Sequence, residues 1–190
     1  MGYVDLNGNK KSDWITPPEC RDLLAQLGPL RLDVCTGYHN AMGAEQFYTT
    51  ATDGLKQSWE CGGLVWCNFP WSRQTSPKWI DRACKQGELL RRNNTGELVE
   101  LGPNRGDTGW FRQLWFSADA LYFWKGRMNF IDPDTMQPMR VKNKKTGKME
   151  ESPVAVPLQL AYWGPRVERF LEVFEQQGGI GIDLRKLRAA

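Results

Sequence analysis

Four consecutive residues could hold an aromatic amine for reaction: Asn68, Phe69, Pro70 and Trp71, here called the tetrad. An exocyclic amine on a flat heterocycle is a poor nucleophile, because its lone pair is delocalised into the ring. The Asn68 amide and the Phe69 backbone carbonyl offer two acceptors for its N–H groups. Such acceptors favour the pyramidal amine, whose lone pair is available, and they stabilise a transition state without a strong base. The Trp71 ring adds a face for stacking.

The tetrad follows an apolar run, Leu64–Cys67, that reads as a buried strand. Its residues also have simpler alternative roles. Asn68 could be an Asx-turn residue, as most asparagines after a strand are. Trp71 could belong to the core, because most of the nine tryptophans must be structural.

The spacing of apolar residues predicts strands that alternate with helices. Predicted strands lie at 30–35, 47–50, 64–67, 98–101, 120–124, 128–131 and 154–162. Predicted helices lie between Pro18 and Gly28 and at 77–90, 107–116 and 166–176. Thr16 could cap the first helix, and Pro17 suits its first turn.

This alternation predicts an α/β fold with a single open, mostly parallel sheet. We expect one domain over residues 1–190, with a basic loop inserted near 132–152 and no internal repeat. The polar stretch 91–96 is predicted to be a further loop.

Ligands of such sheets bind beyond the carboxyl ends of the strands, where Asp33, Asp53 and Asn68 all fall. Asp33 closes an otherwise apolar run, in which an unpaired carboxylate is costly to bury. A helix cap or a turn is its alternative role. Asp53 precedes Gly54 and could be an ordinary turn aspartate.

The composition excludes several classes of protein. Hydrophobic residues make up 41% of the 190 residues and aromatic residues 12%, which is too much for a disordered chain. No apolar run approaches the roughly 20 residues that span a bilayer. Residues 1–13 also lack the apolar stretch of a signal peptide. We therefore expect a cytoplasmic protein with no membrane partner.

The five cysteines are odd in number and form no Cys-x-x-Cys pair, so reduced thiols are expected. His39 is the only histidine, and the cysteine spacings match no zinc finger, which argues against a metal site. Cys35 and His39 could also be a nucleophile and its base. The members of such pairs usually come from distant segments, however.

The net charge of +3 is mild, but the basic residues are clustered. Five of them crowd one polar stretch: Arg140, Lys142, Lys144, Lys145 and Lys148. The stretch 91–96 begins with two arginines. Each stretch could be a solvated loop or could contact phosphate. Arg127 could reach a phosphate or a base edge, or form a structural salt bridge.

A series of short motifs runs along the chain. It comprises Asp13-Trp14-x-Thr16-Pro17, Leu32-Asp33-Val34-Cys35, Asn40-Ala41, Tyr48-Thr49, Asp53-Gly54-Leu55, Trp59, Cys67-Asn68-Phe69-Pro70-Trp71-Ser72, Asp107-Thr108-x-Trp110-Phe111 and Lys125-Gly126-Arg127-x-x-Phe130. Each motif alone is unspecific, but in this order they resemble the phage-type DNA N-6-adenine methyltransferase (Dam-like) family. The likeness extends from about Asp13 to Tyr162.

The resemblance implies a Rossmann-like, S-adenosylmethionine-dependent methyltransferase fold. It also implies S-adenosyl-L-methionine as the methyl donor and adenine in double-stranded DNA as the acceptor. Catalysis would belong to the tetrad, Asn68, Phe69, Pro70 and Trp71. The donor site would comprise Trp14, Thr16, Pro17, Asp33, Cys35 and Asp53. Contacts to DNA are expected from Arg127, Arg140, Lys142, Lys144 and Lys145.

The tetrad departs from the family's Asn/Asp-Pro-Pro-Tyr/Phe/Trp pattern at one position and takes a less common residue at another. Phe69 replaces a proline, which keeps the backbone carbonyl but loses the fixed dihedral angle. Trp71 replaces the commoner tyrosine and enlarges the stacking face. A catalytically inactive DNA-binding or decoy protein is one alternative. An amino-group methyltransferase that acts on cytosine or on a protein amide is another.

Overall fold

The structure is a computed structural model that describes residues 14–37, 40–143 and 145–189. Its helices are α1 (Pro18–Ala25), α2 (Ser76–Asn93), α3 (Gly109–Ser117), α4 (Val167–Glu175) and α5 (Leu184–Ala189). Its strands are β1 (Leu30–Asp33), β2 (Gln46–Phe47), β3 (Gly63–Cys67), β4 (Gly96–Pro103), β5 (Ala120–Phe123), β6 (Ile131–Asp132), β7 (Gln137–Pro138), β8 (Arg140–Lys142), β9 (Met149–Glu151), β10 (Leu158–Trp163) and β11 (Ile180–Asp183).

Within these ranges, seven strands form the central sheet, in the order β2, β1, β3, β4, β10, β5 and β11. The first four are parallel neighbours, and β5 runs in the same direction. β10 lies antiparallel between β4 and β5, and β11 is antiparallel to β5 at the edge. The α/β class and the mostly parallel sheet are therefore confirmed, and the arrangement is consistent with a methyltransferase-like fold.

Helices cover both faces of the sheet, which explains why the central strands are apolar on both sides. On one face, α1 and α4 pack over a core that contains Trp66 and Tyr162. On the other face, α2 and α3 pack over a core that contains Val65 and Cys67. Successive residues of β3 thus enter opposite cores. Trp71, just beyond β3, packs against both cores.

The start of the first helix differs from the prediction that Thr16 caps it. Pro17 is the N-cap residue, with φ −66° and ψ 155°, and no side chain caps the helix. Proline already has a φ near this value, so Pro17 and Pro18 lead the chain into α1 without a hydrogen-bonded cap. The Thr16 side chain therefore has a different partner.

The predicted loop at 91–96 is wrong over its first half. α2 continues to Asn93, so Arg91 lies in the last helical turn. Its guanidinium forms an ion pair with Asp119 (2.6 Å), a carboxylate that is otherwise buried. Arg91 therefore has a structural role in the folded chain.

The predicted basic loop near 132–152 consists of two short hairpins, because β6 pairs with β7 and β8 pairs with β9. The predicted strand at 128–131 is reduced to β6. β11 and α5 were not predicted, and they complete the far edge of the sheet. None of the described helices is long and apolar enough to cross a membrane.

Candidate active site

The ends of β1 and β3 bring two predicted site residues to one edge of the sheet. Asp33 ends β1, and Asn68 follows β3, its parallel neighbour. Asp33 pairs in register with Trp66, and the Val34 amide donates to the Trp66 carbonyl (3.0 Å). Ligands of α/β sheets bind at such an edge, so both side chains could serve one ligand.

Hydroxyl groups fix the chain after the tetrad. The Thr75 hydroxyl donates to the Pro70 carbonyl (2.5 Å), and the Ser72 hydroxyl lies 2.7 Å from that of Thr75. The Ser72 hydroxyl also accepts from the Thr75 amide (3.0 Å). Among the described residues, none donates to the Phe69 carbonyl. That carbonyl therefore keeps its acceptor capacity unused within the described part of the chain.

The Phe69 side chain can hold the tetrad in place of the first proline of the family pattern. The residue is only 2% exposed. It stacks on the Trp79 ring of α2, with centroids 6.1 Å apart and planes inclined by 7°. Buried stacking thus replaces the dihedral restraint of proline.

This stack continues into an aromatic column, formed by Phe69, Trp79 and Trp59. The Trp59 and Trp79 rings lie 6.3 Å apart at 28°, and the Trp59 indole donates to the Gly54 carbonyl (2.8 Å). A Cβ on Gly54 would overlap the carbonyl oxygen of Val34. The turn at Asp53-Gly54 is therefore pressed against the end of β1, and the column joins this turn to the tetrad.

Asp33 is a buried carboxylate that also organises the turn after β1. It is 2% exposed, and its Oδ1 accepts from the Cys35 amide (3.0 Å). Burial raises its pKa to about 7, although the Cys35 amide and the Thr36 hydroxyl act in the opposite direction. Asp33 therefore has the turn role considered from the sequence. With this pKa, its carboxyl group is partly protonated near neutral pH.

Asp53 and Cys35 lie close to Asp33 along the same edge but are less enclosed. Asp53 has a left-handed backbone (φ 54°) and forms an ion pair with Lys56 (2.9 Å), which lowers its pKa. Cys35 is half-buried. The pairing of Cys35 with His39, which was considered from the sequence and disfavoured, lies outside the described residues, because His39 does. A ligand that uses Asp53 must therefore compete with Lys56.

Thr16 contacts the tetrad directly. The Asn68 Nδ2 donates to the Thr16 Oγ1 at 3.1 Å. Thr16 is 3% exposed, and Ile15 beside it exchanges two 3.0 Å backbone hydrogen bonds with Ile131. The segment before α1 therefore contacts the tetrad, through the amide of Asn68.

Three aromatic residues form the side of the site: Trp14, Phe130 and Trp71, here called the aromatic wall. The Phe130 ring lies 5.4 Å from Trp71 in an edge-on arrangement (85°) and 6.1 Å from Trp14. The indole N–H groups of Trp14 and Trp71 are both buried, and neither has a hydrogen-bond partner in the described part of the chain. Trp71 is half-buried, so part of its ring surface is already used by the wall.

Three of the predicted DNA-contacting residues lie on a ribbon attached to this wall. The ribbon, here called the basic hairpin, consists of β8, β9 and the turn between them. Its base is fixed by a backbone hydrogen bond, because the amide of Met139, just before β8, donates to the Phe130 carbonyl (2.8 Å). Three exposed basic residues lie on it: Arg140, Lys142 and Lys145. Arg127 is also exposed but lies outside the hairpin, and Lys144 lies outside the described residues. Glu150 and Glu151 in β9 partly offset the positive charge.

Two buried polar residues near the tetrad were missed. Glu100 in β4 and Gln159 in β10 are fully buried, and their side-chain polar atoms have no hydrogen-bond partner among the described residues. Burial raises the pKa of Glu100 to about 8. The sequence did carry a signal for Glu100, which is a charged residue inside the apolar run 98–101. The same signal marked Asp33.

The sequence model of a protein family, described as DNA N-6-adenine-methyltransferase (Dam), matches residues 5–150. This range covers the tetrad, the aromatic wall and nearly all of the basic hairpin. No curated protein matches the chain.

We expect Phe69→Ala to lower the free energy of unfolding by about 3–5 kcal/mol, because it removes a buried ring that stacks on Trp79. Phe69→Leu should cost less, since it keeps most of the buried volume. Phe47→Ala is the matched control: Phe47 is 41% exposed, and its loss should change stability by less than about 0.5 kcal/mol. Equal effects at both positions in chemical denaturation would show that the Phe69 ring does not hold the tetrad.

Proposed function

This chain belongs to the DNA N-6-adenine-methyltransferase (Dam) family, and we propose that it transfers a methyl group to the exocyclic amine of adenine in DNA. The observation that supports this most is the geometry of the tetrad. Asn68 turns its amide nitrogen to Thr16 (3.1 Å), which leaves its oxygen for a target amine. The neighbouring Phe69 carbonyl is held by a buried ring and accepts from none of the described residues.

In this proposal the two acceptors bind the two N–H groups of the target amine. Their attraction strengthens as the amine becomes pyramidal and its lone pair becomes available, so they stabilise the transition state more than the ground state. Both acceptors are fixed before the substrate arrives, Asn68 by Thr16 and Phe69 by Trp79. Little reorganisation is needed during reaction, which is the condition for strong electrostatic stabilisation.

The methyl donor that the family implies is S-adenosyl-L-methionine, which supplies a methyl group on a positively charged sulfur. The residues at and after the ends of β1 and β2 have side chains suited to binding this donor. Asp33 offers a buried carboxylate to the donor's ammonium group, and such a carboxylate is costly to keep without a cationic partner. Asp53 lies on the adjoining turn, where it could accept from the donor's adenine. Trp14 and Cys35 would line the same pocket, and Pro17 would fix the backbone beside it.

A target adenine must leave the duplex to reach the tetrad. The exposed part of the Trp71 ring would receive it by stacking. The basic hairpin supports this assignment, because its base is hydrogen-bonded to the backbone of Phe130, which packs on Trp71. Arg140, Lys142, Lys144 and Lys145 would contact phosphates beside the extruded base, and Arg127 would contribute from the preceding turn.

We expect Asn68→Ala to reduce the single-turnover rate of DNA adenine methylation by about 10²–10³, because it removes one preorganised acceptor. Donor affinity should change much less, since Asp33 is unaltered. Asn93→Ala, which makes the same change where the amide contacts Glu60 at the surface, should leave the rate unchanged.

A rate for Asn68→Ala equal to that of the wild type would show that Asn68 is only a turn residue. The wild-type reaction tests the proposed function itself. Labelled donor, several duplex DNAs and identification of the modified base would distinguish methylated adenine from methylated cytosine. A non-catalytic DNA-binding protein would modify neither and need not bind the donor.

Donor affinity should depend on pH through Asp33. Its pKa in the free protein is raised to about 7, so below pH 7 the carboxyl holds a proton that it must release to bind an ammonium group. The dissociation constant of S-adenosyl-L-methionine should therefore rise about tenfold for each pH unit below about 7. Above that pH it should stay level until the donor's own α-amino group loses its charge, near about 7.7–8.0.

Calorimetry between about pH 5.5 and 7.5 would measure this dependence, and it should detect one proton released per donor at the acid end. Asp33→Asn should weaken binding at the upper pH and remove the acid-side dependence. Asp81→Asn removes a surface carboxylate that pairs with Lys85, and it should alter neither. A wild-type affinity that does not vary with pH would exclude Asp33 from the ammonium site.

The double variant Lys142→Ala/Lys145→Ala should weaken binding to all duplex sequences about equally. It should also reduce the slope of log affinity against log salt by up to about 2, since each phosphate contact contributes about 0.9. The control is Lys85→Ala/Lys186→Ala, because both of these lysines already pair with aspartates. An unchanged slope for the first variant would show that the basic hairpin is a solvated surface.

A further inference from the structure

The side chain of Asn68 can face a ligand in two ways that differ in chemistry but scarcely in shape. An amide carries an acceptor oxygen on one branch and a donor NH₂ group on the other. Only the oxygen can accept from an amine, whereas a rotated amide would place two donors against the amine's own N–H groups. An asparagine that acts on an amine therefore needs a partner that fixes the rotation of its amide.

Thr16 is the residue that contacts this amide in the structure. The Asn68 Nδ2 donates to the Thr16 Oγ1 at 3.1 Å, across 52 residues of sequence. Thr16 is 3% exposed, so water competes little for this hydroxyl. With the nitrogen bound there, the oxygen, on the other branch of the same planar amide, is directed away from Thr16.

The backbone around Thr16 is restrained on both sides. Ile15 forms an isolated bridge with Ile131, through two backbone hydrogen bonds of 3.0 Å. Pro17 and Pro18 follow, and their rings fix φ at the entrance to α1. The backbone of Thr16 therefore cannot move far without opening the bridge or displacing the helix.

We propose that Thr16 is a positioning residue, whose hydroxyl holds the Asn68 side chain where its amide oxygen can accept from the amine to be methylated. This inference rests on the proposed function. It differs from both roles considered from the sequence, since α1 has no side-chain cap and the contact of Thr16 in the structure is with the tetrad. Thr16 touches neither substrate nor donor in this role and acts only through Asn68.

The test compares Thr16→Val, which removes the hydroxyl at nearly constant volume, with Thr16→Ser, which keeps it. Each change is also made in the Asn68→Ala background. The single-turnover methylation rate is measured at saturating donor and DNA, and the donor dissociation constant is measured separately by calorimetry. Thr95→Val is the matched control, because its hydroxyl bonds Glu60 at the surface. If Thr16→Val does not fold, Thr16→Ala gives the same comparison.

We expect Thr16→Val to lower the rate by about ten- to a hundredfold, the effect of a misplaced catalytic group. Thr16→Ser should restore most of the rate, and donor affinity should stay within about twofold in both variants. In the Asn68→Ala background, Thr16→Val should have no further effect, because the group it positions is gone.

Equal rate losses in both backgrounds would overturn the inference, since Thr16 would then act independently of Asn68. A fall in donor affinity that matches the fall in rate would overturn it as well, by making Thr16 a donor contact. An unchanged rate in Thr16→Val, with an active wild type, would refute the positioning role alone. A wild type that methylates no DNA adenine would instead refute the proposed function, and the inference with it.

Discussion

The stacking of Phe69 on Trp79, and of Trp79 on Trp59, is the interaction on which the site most depends. The aromatic column lies beneath the carboxyl edge of the sheet and connects two segments that follow different strands. Its upper end is part of the tetrad, and its lower end holds the Asp53-Gly54 turn through the Trp59 indole. Each stacked pair contributes about 0.5–1.5 kcal/mol beyond the burial of its rings. One rigid support therefore sets the positions of both turns.

The aromatic wall is a second group of packed rings beside the tetrad. It joins the segment before α1, the tetrad and the base of the basic hairpin, which are far apart in sequence. Asn68 lies between the column and the wall, and its amide is bonded to Thr16. Rigid packing of this kind suits chemistry that relies on placed acceptors, because such acceptors act without rearranging.

The sequence predicted the parts of the fold in which a local pattern is strong. β3 and α2 have clear apolar periodicity, and Asp33 and Asn68 were placed correctly at adjacent strand ends. β8 and β9 were not predicted, because three-residue strands with exposed polar side chains carry no apolar alternation. The Thr16–Asn68 contact has no local signal at all, since its partners are 52 residues apart and meet only when the sheet has formed. Phe69 was recognised as a departure, but its stacking depends on where α2 places Trp79.

Glu100 has a consequence for the behaviour of the whole chain. The unfolded chain releases this proton near the ordinary pKa of 4.5, whereas the folded chain keeps it until about pH 8. The free energy of unfolding must therefore decline as the pH rises between these two values. Loss of this proton would leave a charged Glu100 with no hydrogen-bond partner among the described residues, so alkaline pH opposes the fold at this position. Mild acidity weakens many proteins by protonating their paired carboxylates. At Glu100 it has the opposite effect on stability, because the folded state binds this proton more tightly than the unfolded chain does.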